Sequence, residues 1–328
     1  MLARIETISI LFMSILLEAF PYLLLGALIS SIIERFVPSS FFSRIIPKNP
    51  VLGSIVGALM GFFLPCCDCA VIPVAKGLIK KGVPQNVATS FMLASPIINP
   101  VVLLATYNAF ALTNKAMILY RVIVGILVAV FSGMLVNIFT KSISFKDEHS
   151  QSSHEHSSAC GCSHDHGHTN SHEEEDNSCG CGHSHNSAIN EGFMTKMLDV
   201  MRHTCIEFFD VGKFLIIGAF IAASVQILVP FKAFSILSNY TVLSIVLMGI
   251  FSYLMSLCST SDAFVAKSFV GAISNSSILS FLVISPMLSV KNTIVLSGNF
   301  SKKYIVLLNI TVFVLTCIAC VIVSYLGF

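Results

Sequence analysis

The sequence contains no tryptophan and very little charge. Only 11% of its 328 residues are Asp, Glu, Lys or Arg, under half the roughly 25% of an ordinary soluble domain. That excludes a water-soluble globule, and a formal net charge of +2 implies no nucleic-acid partner. Without Trp, any aromatic belt at a membrane surface falls to Tyr and Phe. No leader peptide is expected either. The first apolar run, residues 8–33, exceeds the roughly 7–15 residues of a signal core and has no small-residue cleavage site. It reads as a retained span. Nor is there a disulfide framework. Of eleven Cys, four stand in a polar segment among histidines and the rest in apolar runs, which fits reduced thiols.

What is present is hydrophobicity: 55% of residues and a mean hydropathy of +0.85. A membrane helix needs about 20 apolar residues. Candidates lie at 8–33, 51–80, 84–112, 116–139, 208–229, 241–258, 276–298 and 303–326. The expected fold is all-α: a polytopic membrane protein with about eight transmembrane helices, some broken, in two repeated halves. Residues 1–140 form a first membrane repeat, 141–197 a His/Cys-rich disordered loop, and 198–328 a second membrane repeat.

The halves echo each other. Gly26-Ala27 followed by Val37-Pro38 recurs as Gly218-Ala219 followed by Val229-Pro230, and Ala75-Lys76 recurs as Ala266-Lys267. Ser95-Pro96 returns as Ser285-Pro286, and Glu18 and Glu207 stand near the start of each copy. Four spans per half make parallel repeats, whereas an odd number makes inverted ones. Paired interrupted segments in two halves point to a transporter's midplane site.

Two clusters occupy such breaks. The first is Pro65-Cys66-Cys67-Asp68-Cys69 with Ile72-Pro73; the second is Cys258-Ser259-Thr260-Ser261-Asp262. Lipid supplies no water for an ionised Asp or a broken backbone, so a cluster retained at this depth reads as functional. Thiols favour soft or borderline cations. The bland alternative, that Cys packs as a small hydrophobe, leaves Asp68 and the prolines unexplained. Pro96, Asn99 and Pro100, with Pro286 opposite, mark further breaks that either expose carbonyls to a substrate or simply kink the helix. Glu18 and Glu207 are candidate proton carriers or ordinary interfacial carboxylates.

Residues 141–192 hold nine of the ten histidines and are too polar to bury. Here Cys160, Cys162, His164, His166 and His168 are echoed by Cys179, Cys181, His183 and His185. Two thiols and two imidazoles per copy make a tetrahedral donor set without zinc-finger spacing. The segment is expected to chelate or sense Zn, Cu, Ni or Co, with no cofactor required for the protein itself; the alternative is a solvated linker.

Basic residues divide evenly between the loops of an eight-span reading. Orientation then rests on chemistry, which places both termini and the thiol loop in the cytoplasm of a multi-pass cell-membrane protein. Cys317 and Cys320, with Cys66 and Cys69, raise a rival reading as a membrane thiol–disulfide oxidoreductase. Cys317 and Cys320 lie deep in an apolar helix without charge nearby, and are expected to pack.

These motifs, with Lys81-Gly82-Val83-Pro84, Phe91-Met92-Leu93-Ala94-Ser95-Pro96-Ile97-Ile98-Asn99-Pro100 and Pro286-Met287, resemble the predicted-permease family that includes the arsenical efflux permeases. The resemblance implies a permease, not an enzyme, of two related halves. It departs from the arsenical branch, having Cys-Asp-Cys for Cys-Ser-Cys and Ile-Ile-Asn-Pro for Gln-Thr-Gly. It is nearer a branch whose members work with a second small membrane protein. The expected function is efflux of a thiophilic metal or metalloid along a Cys/Asp-lined path. The other reading is a permease for a small non-metal solute whose loop only senses metal.

Overall fold

The computed structural model describes residues 2–36, 46–47, 49–63, 68–111, 114–139, 193–228 and 241–327. Cys66, Cys67 and all the metal-binding candidates between Cys160 and His185 lie outside these residues.

Twelve helices are present among the described residues, six per half. The first half holds α1 (Leu2–Phe36), α2 (Pro50–Phe63), α3 (Val71–Lys80), α4 (Gln85–Ile98), α5 (Pro100–Phe110) and α6 (Ala116–Phe139). The second holds α7 (Phe193–Leu228), α8 (Thr241–Met255), α9 (Asp262–Lys267), α10 (Asn275–Met287), α11 (Val290–Asn299) and α12 (Lys302–Tyr325). They match one for one in order and, α9 apart, closely in length. The all-α polytopic expectation holds.

The sequence expectation of about eight spans does not. At 14 residues, α2 reaches about 21 Å, short of a hydrocarbon core of about 30 Å. It stops, and the chain turns back. Gly53, Gly57 and Gly61 lie along α4 beside Val87, Val87 and Ser95 in turn, so α2 and α4 run parallel. Asn86 Nδ2 donates to Pro50 O at 2.8 Å and to Ser54 Oγ at 3.2 Å, tying their starts together. Two consecutive parallel helices require the intervening α3 to return to the face where α2 began. The second half repeats this. Ser277 donates to Ser244, Ser280 to the carbonyl of Ile245, and Ser252 to that of Phe281, so α8 and α10 are parallel and α9 returns. The pairs α2–α3 and α8–α9 are therefore re-entrant hairpins.

Each half then crosses three times: α1, the α4–α5 pair and α6; α7, the α10–α11 pair and α12. All six are long and apolar enough, with α4 and α5 forming one span bent by 40°. The bend sits at Asn99, whose side chain accepts from Val101 N at 3.0 Å and caps α5, with Pro100 in its first turn. Pro lacks the N–H that a helix start leaves unpaired anyway.

An odd number of crossings inverts the second half. The α1/α7 pairing carries the proof. Arg35 pairs with Asp199 at 3.1 Å, Phe20 meets Phe208 and Phe12 meets Phe220, so these equivalent helices run antiparallel. It follows that the ends of α6 and α7, which bound residues 140–192, lie on one membrane face, and Leu2 and Tyr325 on the other. The expectation of termini and loop on one side is corrected by the hairpins, which each remove a crossing.

Candidate functional site

Both hairpin tips stop at mid-depth and meet there. The first tip is the turn at Asp68, Cys69 and Ala70 that leads into α3. It sits tight against α1: a Cβ on Gly26 would lie 2.7 Å from Ala70 Cα, so only Gly admits the approach. The second tip follows α8. Ser256 adopts φ +48°, a left-handed conformation that costs a non-Gly residue about 1–2 kcal/mol. Its effect is to turn the chain sharply toward the first tip. The N–H groups of Ser261 and Asp262 then close onto the carbonyl of Cys258, both at 3.0 Å.

At the contact, the Ser259 hydroxyl donates to Asp68 Oδ1. Both side chains are buried. In the register that starts α3 at Val71 and α9 at Asp262, Asp68 and Ser259 are equivalent positions. The two halves thus touch at matching residues.

Beside this contact is a cavity of about 150 Å³ between the tips, α1 and the start of α11. Cys69 and Cys258 contribute thiols, Asp68 and Glu18 carboxylates, and Lys291 an ammonium. Hydroxyls come from Ser14, Tyr22, Ser256 and Ser261. Lys291 is buried, and its charge attracts the Asp68 carboxylate. The lining along α1 runs from Tyr22 to Leu11, toward the face that carries the termini. Toward the opposite face α1 packs on α3, where the Ser30 hydroxyl donates to Pro73 O at 3.0 Å and a Cβ on Gly77 would come within 2.7 Å of Ser30 Oγ. Lys80 and Glu34, 3.5 Å apart, close that end.

The other sequence candidates are distributed around this centre. Thr260 lies 3.6 Å from the Cys258 sulfur. Asp262 is outside the cavity, fully buried and bidentate to Arg121 at 2.7 and 3.2 Å. Arg121 also donates to Thr106 Oγ1 at 2.7 Å. This ties the second hairpin to α5 and α6 of the first half. Arg121 is not among the residues that hydropathy singles out in 116–139, and its signal is a single Arg five residues inside an apolar helix.

Pro96 and Pro286 are buried within α4 and α10, and Pro100 is exposed; none of them lines the cavity. Glu207 lies on α7 within hydrogen-bond reach of Ser30. The register that matches Gly26 with Gly218 makes Asp210, three residues on, the equivalent of Glu18. Cys320 is buried and Cys317 half-buried in the α12 packing. Among the described residues no three His, Cys, Asp or Glu side chains converge to hold a metal.

A model of a family described as "predicted permease" matches residues 4–325. The chain belongs to that family. It is 35% identical over 299 residues to UPF0718 protein YcgR of Bacillus subtilis, covering 91% of this chain and 90% of that one. A Streptococcus mutans protein named as a putative two-component membrane permease complex subunit is 30% identical over 315 residues, 96% and 94% of the two chains. UPF0718 protein YraQ of Escherichia coli matches a shorter stretch, 28% identical over 79 residues, covering 24% of this chain and 23% of that one. No solved structure matches. The chain is thus a multi-pass membrane permease.

Proposed function

We propose that this permease exports a thiophilic metal or metalloid through the cavity between its hairpin tips. One observation carries the reading: the inverted halves bring Cys69 and Cys258, one thiol from each tip, to the same cavity as Asp68. Thiolates select soft and borderline ions, and carboxylates offset a cation's charge at membrane depth.

The fold also supports an orientation. Arg35, Lys80, Lys81, Lys196, Arg202, Lys302 and Lys303 belong to helix ends on the face bearing residues 140–192, against Arg4, Lys115 and Lys267 on the face with the termini. The positive-inside rule then puts the His/Cys segment in the cytoplasm and the termini outside. Cys160, Cys162, His164, His166 and His168, with their second copy, capture Zn, Cu, Ni or Co there and pass it on. The name of the Streptococcus mutans relative supports a second membrane subunit for this permease as well.

A second reading has its own observation. Lys291 in the cavity suits a solute bearing an anionic group, with the loop serving only as a metal sensor. Metal and arsenite accumulation in cells separates the two. Expressing the protein should lower accumulation of one soft element, and Cys69→Ser with Cys258→Ser should restore it. If no soft metal or metalloid changes, the metal reading is wrong and small organic anions become the substrates.

A further inference from the structure

The halves are equivalent in sequence order and helix count, yet they are not packed equivalently. Gly26 and Gly218 are matching positions on the matching helices α1 and α7. Gly26 presses on Ala70 at the entry to α3, whereas a Cβ on Gly218 would sit 3.2 Å from Lys291 O on α11. Helix α1 therefore clasps the hairpin of its own half, while α7 leans on the last bent span of its half. An inverted repeat with full two-fold symmetry would have α1 and α7 do the same thing. The structure is one of a pair of arrangements, and the other is obtained by exchanging the roles of the halves.

We propose that α1 and α7 trade these packings, and that the trade seals the cavity from the face carrying the termini and opens it to the face carrying residues 140–192. This rests on the permease reading above, but not on what the substrate is. In the arrangement seen here the cavity wall on α1 runs through Leu11, Ile15 and Glu18. The same register on α7 gives His203, Glu207 and Asp210, one helical face at i, i+4 and i+7. That face becomes the wall of the loop-side half of the path. Today α1 covers only the middle of that face: Glu207 is half-buried beside Ser30 and Phe208 meets Phe20, while His203 is exposed and Asp210 pairs with Lys213 at 2.8 Å. The fastening that must release is the α1–α3 seam, where Gly77 admits Ser30 and Glu34 holds Lys80. Small residues at such a seam allow close approach without the interlocking side chains that would oppose separation.

The test needs no substrate. Purified full-length protein in lipid nanodiscs is treated with a carbodiimide and glycine ethyl ester, and Glu18 and Glu207 are scored by mass spectrometry. Ser30→Cys with Gly77→Cys places two thiols across the seam, at a separation a disulfide accepts. Oxidation should cut Glu207 labelling severalfold while Glu18 labelling persists, and dithiothreitol should restore the wild-type pattern. Persistent Glu18 labelling reports an intact fold. Gly26→Ala, which wedges α1 from the hairpin, should move the two signals the other way: Glu207 up, Glu18 down. Equal Glu207 labelling in oxidised and reduced protein overturns the proposal, as does a wedge that moves neither signal. Uptake of zinc or copper into vesicles by the oxidised, locked protein overturns it too. If labelling swings as stated while no metal moves, the substrate reading fails and the exchange stands.

Discussion

Asp68 and Ser259 sit at equivalent positions of two inverted halves and bond to each other at the centre of the membrane. Each is the tip of a hairpin that enters the lipid and turns back. A carboxylate buried at this depth needs its partners. The bond also fixes one tip relative to the other. Ser259→Ala should therefore leave the protein folded but weaken transport by roughly 10–100-fold in apparent substrate affinity, the usual cost of removing a group that orients a site. Transport assays on Ser259→Ala and Ser259→Thr should differ, with Thr retaining most activity.

The Arg121–Asp262 pair makes a different prediction, about stability. Both partners are fully buried. Removing one leaves an uncompensated charge, at a cost of about 3–5 kcal/mol, whereas replacing both with apolar groups is often close to neutral. Arg121→Leu and Asp262→Leu should each lower the thermal midpoint in detergent, and the double variant should recover much of the loss. Additive losses in the double variant would mean the two residues act independently.

Two glycines of the first hairpin region separate packing from conformation. A Cβ at Gly57 would run into the carbonyl oxygen of Val87. Gly57→Leu should thus force α2 from α4 and destabilise by about 1–3 kcal/mol or more. At Gly82, φ is +86° with open space around it. There Ala meets no neighbour and pays only for its backbone, about 1–2 kcal/mol. Thermal unfolding of Gly57→Ala, Gly57→Leu and Gly82→Ala should rank Gly57→Leu worst, with side-chain size mattering at position 57.

Topology can be read directly. Epitope tags placed before Leu2 and after Phe328 should both react in intact cells, and one inserted near Ser152 only after permeabilisation. Two termini that stay hidden, with the internal tag reactive, would reverse the proposed orientation while keeping the six spans.

Deleting Asp147 to Asn190 should preserve insertion and the thermal midpoint but shift the metal dependence of transport. Zinc titration of the purified intact and deleted proteins measures the binding lost. Equal binding in both would remove the His/Cys segment from the proposed path.

Much of this was legible in advance, for physical reasons. Long apolar runs announce membrane helices, and matched glycines and prolines announce a repeat. The breaks at Asp68 and Cys258 stood out because polar groups in lipid are expensive. What hydropathy does not encode is direction. A helix that crosses and a hairpin that returns have the same composition, so α2–α3 and α8 read as crossings, with two consequences. The repeats were left open between parallel and inverted, and the basic residues seemed evenly shared between faces. Pairings distant in sequence were equally silent. Nothing local links Arg121 to Asp262, or Lys291 to Asp68. The shift from Glu207 to Asp210 as the counterpart of Glu18 came from register, which is set by Gly26 and Gly218 at the far end of the same helices.

The ends of α6 and α7 open on one face of the bilayer. Whatever is inserted between them never has to enter lipid, and its length places no tension on either half. That junction can carry a soluble device of any size without re-engineering the machine beneath it. A permease of this architecture can therefore acquire, enlarge or discard an accessory on that face while its central passage stays as it was.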